Sequence, residues 1–243
     1  MDLGLDGRVA VVPASSKGLG RATAVALATE GAKVLLSARG RDALDDAVAA
    51  VTDAGGTAEG VVGDVTDPAA PAALVARAVE RWGRLDIVVG NAGGPPPGRA
   101  LEVDDEALVA AVNANMLSSI RLARAAVPHL RSGGWGRICF ITSSSVRQPI
   151  PVLALSNVAR TGLWAWTKTA AADLAGDGIT VNLACPGLHA TDRMKALGGG
   201  ASAGPVGDPA DFGKVVAFLC SEPARFVSGT AVGVDGAAVA GLL

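Results

Sequence analysis

The chain has 243 residues, half of them hydrophobic, and a formal net charge of −2; this is enough apolar content for one large α/β core, with no charge field to attract nucleic acid or an anionic membrane surface. Its three cysteines, Cys139, Cys185 and Cys220, lie far apart in apolar contexts and away from His129 and His189, so neither a metal site nor a disulfide framework is expected. The opening Met1-Asp2-Leu3-Gly4-Leu5-Asp6 lacks the regions of a signal peptide and no apolar run reaches bilayer length. Cytoplasmic residence, no membrane partner and a small-molecule substrate are the expectations.

Taken in chain order, short β-rich runs alternate with longer helical patterns, the pattern of parallel strands joined by crossover helices. Strands are predicted at Val9 to Val12, Lys33 to Ser37, Thr57 to Val62, Asp86 to Val89, Gly136 to Ile141, Ile179 to Ala184 and Ala231 to Val234. Helices are predicted at Gly20 to Glu30, Asp42 to Ala54, Pro68 to Trp82, Asp104 to Leu130, Val158 to Ala175 and Pro209 to Cys220. With no linker dividing it, the chain reads as a single domain over 1–243: a doubly wound, Rossmann-type α/β fold with seven parallel strands and helices on both faces. Ligands bind such sheets outside the carboxyl ends of the strands. The loops after Val12 and Gly90 and the stretch 186–208 are therefore where function is expected. The last, with Gly198-Gly199-Gly200 and little periodicity, reads either as a substrate lid or as a disordered segment.

Between the first strand and first helix stands Pro13-Ala14-Ser15-Ser16-Lys17-Gly18-Leu19-Gly20. Glycines there let backbone N–H groups approach a pyrophosphate at the positive end of the helix dipole. Position sets this apart from an ordinary turn: strand before, helix after. The second strand ends at Ser37-Ala38-Arg39 without the carboxylate that would bond ribose hydroxyls. Arg39 and Lys17 can instead converge on a 2′-phosphate, which favours NADP(H) over NAD; the bland reading is two solvated cations.

These features, with Asp64-Val65 after the third strand, Asn91-Ala92-Gly93 after the fourth and the closing Gly229-Thr230-Ala231-Val232-Gly233-Val234-Asp235-Gly236, are similar to those of the short-chain dehydrogenase/reductases, the 3-oxoacyl reductases among them, along nearly the whole chain. The resemblance implies cofactor contacts from Ser16, Lys17, Gly18, Leu19 and Gly20, an adenine contact from Asp64 and Val65, and a supporting turn from Asn91, Ala92 and Gly93. It also implies that Pro186 and Gly187 pass the nicotinamide and that Thr191 either contacts its carboxamide or caps a helix. The family pattern of the first loop is Thr-Gly-x-x-x-Gly-x-Gly; here Pro13 and Ala14 replace its first two residues.

The family's catalytic set is a Ser, an Asn and a Tyr-x-x-x-Lys pair. Ser143, thirteen residues before Ser156, matches the serine, with Ser144 and Ser145 adjoining it, and Asn115 matches the asparagine. Where Tyr and Lys belong, this chain has Ser156 and Arg160, and it contains no tyrosine anywhere. An aliphatic alcohol is a poor direct acid beside a phenol of pKa about 10, and a guanidinium stays charged. Residues four apart share a helix face, so Ser156 and Arg160 can still point into the cleft together, with Arg160 holding the nicotinamide ribose. The proton is left to a water or to His189, a residue type that commonly serves as an acid or base; the alternative is an exposed loop histidine. His129 reads as structural. Gly94-Pro95-Pro96-Pro97-Gly98 stiffens the rim of the cleft. Trp164 and Trp166, on one helix, cannot both face the same way, so at least one is expected against the core or between subunits. The family pattern implies a homodimer or homotetramer through that helix and the one after Asn115. Two functions stand: an NADP(H)-dependent carbonyl reductase with an atypical proton donor, or an NADP(H)-binding chain without net redox turnover, such as a partner subunit, an isomerase or a cyclase.

Overall fold

The computed structural model describes residues 1–198 and 205–241. The strands are β1 (Val9–Val12), β2 (Lys33–Ala38), β3 (Thr57–Val62), β4 (Ile87–Gly90), β5 (Gly136–Ile141), β6 (Ile179–Pro186) and β7 (Ala231–Val234). They form one seven-stranded sheet in the order β3-β2-β1-β4-β5-β6-β7, and each recorded pairing is parallel. Strand order reverses between β1 and β4, which opens the crevice at their carboxyl ends. The helices are α1 (Gly18–Thr29), α2 (Arg41–Asp53), α3 (Ala70–Trp82), α4 (Asp105–Val112), α5 (Ser118–Gly133), α6 (Ala154–Leu174), α7 (Asp192–Ala196) and α8 (Pro209–Leu219).

Continuous apolar runs make the central strands because both faces are covered. Every residue of β1, β5 and β6 is buried. Side chains alternate between the faces, and the core divides accordingly. Val9, Val11, Val88, Phe140 and Leu183 pack with Leu74, Leu122 and Leu163 from α3, α5 and α6. Ala10, Val12, Val89 and Cys139 pack with Leu27, Leu44 and Phe212 from α1, α2 and α8. Both Trp164 and Trp166 lean on the first of these layers, and Trp166 meets Phe140 edge-on at 5.9 Å between ring centroids. No helix among the described residues is long and apolar enough to cross a membrane.

Three element assignments differ from the sequence reading. The single helix expected from Asp104 to Leu130 is α4 and α5 joined by a π-helical turn, Asn113–Leu117. Its cause is local: Asn115 turns inward with its amide at 3.4 Å from the Ala111 carbonyl, and Ser118 Oγ donates to the Ala114 carbonyl. Helix α6 starts at Ala154 rather than Val158, which places Ser156 in its first turn. The segment 186–208 contains α7, whose start is marked by Thr191 accepting from the Met194 amide. Of the glycine run expected to loosen that segment, Gly199 and Gly200 lie outside the described residues.

Candidate active site

The loop after β1 is shaped for an anion. Gly18, at φ +60°, opens α1, and the N-cap residue Lys17 makes no side-chain capping bond, so the first amides of the helix point outward without a side-chain acceptor. Gly20 is required by space: a Cβ there would sit 2.5 Å from Asn91 Nδ2 and 3.0 Å from the Ala14 carbonyl. Asn91 uses that amide to donate to the carbonyls of Pro13 (3.2 Å) and Ala14 (3.0 Å), so its side chain braces the loop. Ser15 is locked beneath, its Oγ donating to the Val12 carbonyl at 2.6 Å. Ser16 is half-buried and Leu19 packs on the α1 side of the core.

Ala14 stands at φ +49°, a left-handed conformation that glycine adopts freely and alanine does not. Relief of about 1–2 kcal/mol of backbone strain, against about 0.4–1 kcal/mol of lost unfolded-state restriction, makes Ala14→Gly mildly stabilising. A thermal melt should rise by roughly 2 °C for a chain of this length. A fall of several degrees would show the loop strained elsewhere.

The rim cations are exposed and loosely held. Lys17 Nζ lies 3.8 Å from Asp192 and Arg39 Nη1 4.0 Å from Asp64. Asp64 itself is fixed by the backbone and hydroxyl of Thr66, which hold its carboxyl below the usual carboxylate range with help from Arg39. Val65 lines a narrow cleft with Pro13, Gly90 and Asn91. Ala92 is half-buried, and a Cβ on Gly93 would meet nothing, so this turn has room above it.

Deeper in, β5 ends at Ile141 and delivers Thr142 and then Ser143, whose Oγ accepts from the Ser145 amide at 3.1 Å and caps a short 3-10 turn, Ser144–Val146. Ser144 and Ser145 are buried while Ser143 keeps partial exposure, so among the three adjoining serines it is the one open toward the crevice. Arg160 is buried and reaches across from α6. Its Nη1 donates to the carbonyls of Ile141 (3.2 Å) and Thr142, and its Nη2 donates to Asn115 Oδ1 (3.1 Å). Its Nε is buried without a partner. One side chain thus ties together the end of β5, the π-helical turn and α6. Burial pushes its pKa down to about 10, and the nearby cation Arg193 pushes the same way; it remains protonated at neutral pH. Ser156 is also buried, at 5 % exposure.

His189 is not an exposed loop residue. It is 6 % exposed, its Nδ1 3.3 Å from the Gly187 carbonyl and its ring edge-on to Phe212 of α8 at 5.2 Å. The chain returning at Gly207 covers the ring through bonds from Gly207 N to the Leu188 carbonyl and from Ala190 N to the Gly207 carbonyl. Pro186 closes β6, and Gly187 passes so near β7 that a Cβ would lie 2.7 Å from Asp235 Cα. Thr191 caps α7 and lies beside Gly18, its Cγ2 3.7 Å from the Cβ position there. Cys185 is no nucleophile: burial pushes its thiol up to about 11, against the opposing bond to Thr142.

Sequence reading missed Arg193. It lies on α7, donates to the Pro95 carbonyl, and covers Gly94 so closely that a Cβ there would be 2.9 Å from its Nε. The signal was Thr191-Asp192, a helix start that fixes Arg193 in the first turn of a helix rather than in a featureless loop.

A seven-stranded parallel sheet, an uncapped helix behind a tight glycine turn, and polar side chains gathered at the carboxyl ends of β4 and β5 define a dinucleotide-binding α/β protein. Residues 13–237 match the family model described as enoyl-(acyl carrier protein) reductase. Dehydrogenase/reductase SDR family member 4 of Bos taurus is 33 % identical over 98 % of this chain and 89 % of its own length. Versicolorin reductase 1 of Aspergillus parasiticus is 34 % identical over 96 % and 97 %. Among solved structures, L-sorbose reductase of Gluconobacter frateurii, complexed with NADPH and L-sorbose, superposes with a TM-score of 0.92 at 32 % identity over the whole of both chains. A 7α-hydroxysteroid dehydrogenase complexed with NADH and 7-oxo glycochenodeoxycholic acid gives 0.92 at 29 % identity, over 100 % of this chain and 98 % of its own. The chain belongs to the short-chain dehydrogenase/reductase family, a family of oxidoreductases.

Proposed function

We propose that this enzyme is an NADP(H)-dependent reductase of a carbonyl substrate. The observation that carries the cofactor choice is the rim beyond β2: no carboxylate at its end, and Arg39 and Lys17 exposed and held only at 4.0 and 3.8 Å by their acidic neighbours. Exposed pairs of that kind are worth under about 1 kcal/mol and yield readily to a phosphate. In this reading the amides of Ser16 to Gly20 take the pyrophosphate, Asp64 and Val65 the adenine, and Ala92, Gly93, Pro186, Gly187 and Thr191 the nicotinamide half. Asn91 holds the glycine turn in shape. Bound NADPH supplies a hydride to the carbonyl carbon.

The chain's own residues polarise, position and shield. Ser143 Oγ donates to the substrate oxygen, and the alkoxide formed takes its proton from water, because Ser156 has no acidity to offer. Arg160 and Asn115, bonded to each other, fix the floor on which Ser143 sits. His189, wedged between Phe212 and Gly207, anchors the base of the substrate lid expected over 186–208, of which 199–204 lie outside the described residues; Thr191 beside Gly18 supports that position. Exposed Val158 on α6 supports a homo-oligomer, dimer or tetramer, through that helix and α5.

A second reading, cofactor binding without net redox turnover, is favoured by one fact: the guanidinium that replaces the family lysine is largely spent on protein acceptors. Cofactor titration with NADPH and NADH, followed by NADPH oxidation across a panel of ketones, separates the readings. NADPH should bind at least tenfold more tightly than NADH, and Arg39→Ala should remove most of that preference by deleting a charge-assisted contact worth about 1.5–3 kcal/mol. Equal affinities for the two cofactors would defeat the 2′-phosphate assignment. Tight binding with no ketone reduced would leave the second reading.

A further inference from the structure

Among the described residues two arginines are buried, Arg137 and Arg160, and only the first has a counter-ion. Arg137, almost fully buried, pairs with Glu222 at 3.3 Å, and buried Asp86 takes Arg8 at 3.0 Å and Arg84 at 2.6 Å. Half-buried Glu59 takes Arg77 and Arg81. At the mouth of the crevice the pattern fails. Arg160 is 9 % exposed, its Nε has no partner, and among the described residues no carboxylate pairs with it. Arg193, held over Gly94 and Pro95, has likewise no carboxylate partner there and uses its Nη2 on the Pro95 carbonyl.

Of the acids of the lid segment, Asp208 caps α8 through the Ala210 amide and Asp192 lies toward Lys17, at 3.8 Å, with no ion pair to Arg193 among the described residues. Arg160, bonded to the carbonyls of Ile141 and Thr142 at the end of β5, and Arg193, bonded to the Pro95 carbonyl after β4, therefore both stand by the carboxyl ends of these strands with no carboxylate partner among the described residues. Arg160 is held by carbonyls and Asn115 but has no opposite charge beside it, and half-buried Arg193 has none either, so an anionic ligand at this place gains from both. The pyrophosphate has its own cradle at α1, on the glycine loop. The geometry points to a carbonyl substrate that carries a carboxylate, gripped by the N–H groups of Arg193 that Pro95 leaves unused, with the charge of Arg160 behind it. A planar guanidinium with unused N–H groups matches a carboxylate in two parallel bonds, which fixes orientation as well as charge.

This inference rests on the reductase reading, and its test keeps the two apart. Butyrate and benzoate, with butyramide and benzamide as neutral isosteres, are titrated calorimetrically into the NADPH-saturated protein and into Arg193→Gln. At least one carboxylate should bind the native complex at least tenfold more tightly than its amide, and Arg193→Gln should abolish that difference. Amides binding as well as acids, neither acid binding, or a preference that survives Arg193→Gln overturns the assignment. So does an Arg193→Gln protein whose defect is in NADPH affinity, which would give the arginine to the cofactor. A paired assay of a 3-oxo acid against its methyl ester gives a second readout: a KM at least tenfold lower for the acid, lost in Arg193→Gln. Failure of the reductase reading shows differently, as no NADPH oxidation with either compound while the carboxylate still binds.

Discussion

Arg160→Ala should lower stability by about 3 kcal/mol, read as a fall of roughly 6–12 °C in the thermal midpoint. Two effects oppose each other. Removing a buried guanidinium that has no counter-ion relieves a desolvation cost of several kcal/mol. Against that, the carbonyls of Ile141 and Thr142 and the Oδ1 of Asn115 all lose their Arg160 donor at once. Each orphaned buried acceptor costs about 1–3 kcal/mol, and deleting a long side chain from a closed site adds a cavity cost of about 2–5 kcal/mol. The losses exceed the relief. Arg160→Met, which keeps volume and drops the bonds, should fall between native and alanine. A midpoint for Arg160→Ala within 2 °C of native would mean the clamp contributes nothing. The position is also functional by consequence, since the carbonyls it holds immediately precede Ser143.

The fold was legible because strands buried on both faces read as apolar runs, as β1 and β5 do at the bounds read from sequence; the partly buried edge strands β3 and β7 also fall at theirs. What sequence blurred were the places where a side chain competes with the backbone. Nothing in the pattern from Asp104 to Leu130 shows that Asn115 turns inward and widens a turn, because the apolar period continues across it. The start of α6 carries no sequence mark: Ala154-Leu155-Ser156 has no capping residue before it, and Leu153 makes no side-chain capping bond. At the site, the glycine turn and the rim cations were readable as types and spacings. The destination of Arg160 was not, because a guanidinium can turn to solvent, ligand or carbonyls, and only the packing of β5 against α6 decides. His189 shows the same limit, its burial being set by Gly207 and Phe212, residues remote from it in the chain.

The double change Ser156→Tyr with Arg160→Lys should raise kcat for NADPH-dependent ketone reduction at least a hundredfold, about 2.7 kcal/mol of barrier. A positioned general acid contributes about 10²–10⁴-fold, and a phenol of pKa about 10 beside an ammonium is far nearer that role than a serine hydroxyl. The two positions share a helix face, one turn apart at the start of α6, so the new pair would be adjacent. Each change alone should give much less. Ser156→Tyr beside Arg160 leaves a cation already bonded to Ile141, Thr142 and Asn115, while Arg160→Lys without the phenol supplies charge but no acid. Groups that act as a unit are strongly non-additive, so a gain confined to the double variant is the signature to look for in single-turnover NADPH oxidation. The native rate then decides what the natural pair is for. If native protein reduces ketones measurably and Ser143→Ala abolishes it, water serves as the proton source and Ser156 leaves space for a bulkier substrate. If the native rate is zero while NADPH binds tightly and the double variant works, the reductase reading falls and the Ser156/Arg160 pair marks a site kept for binding.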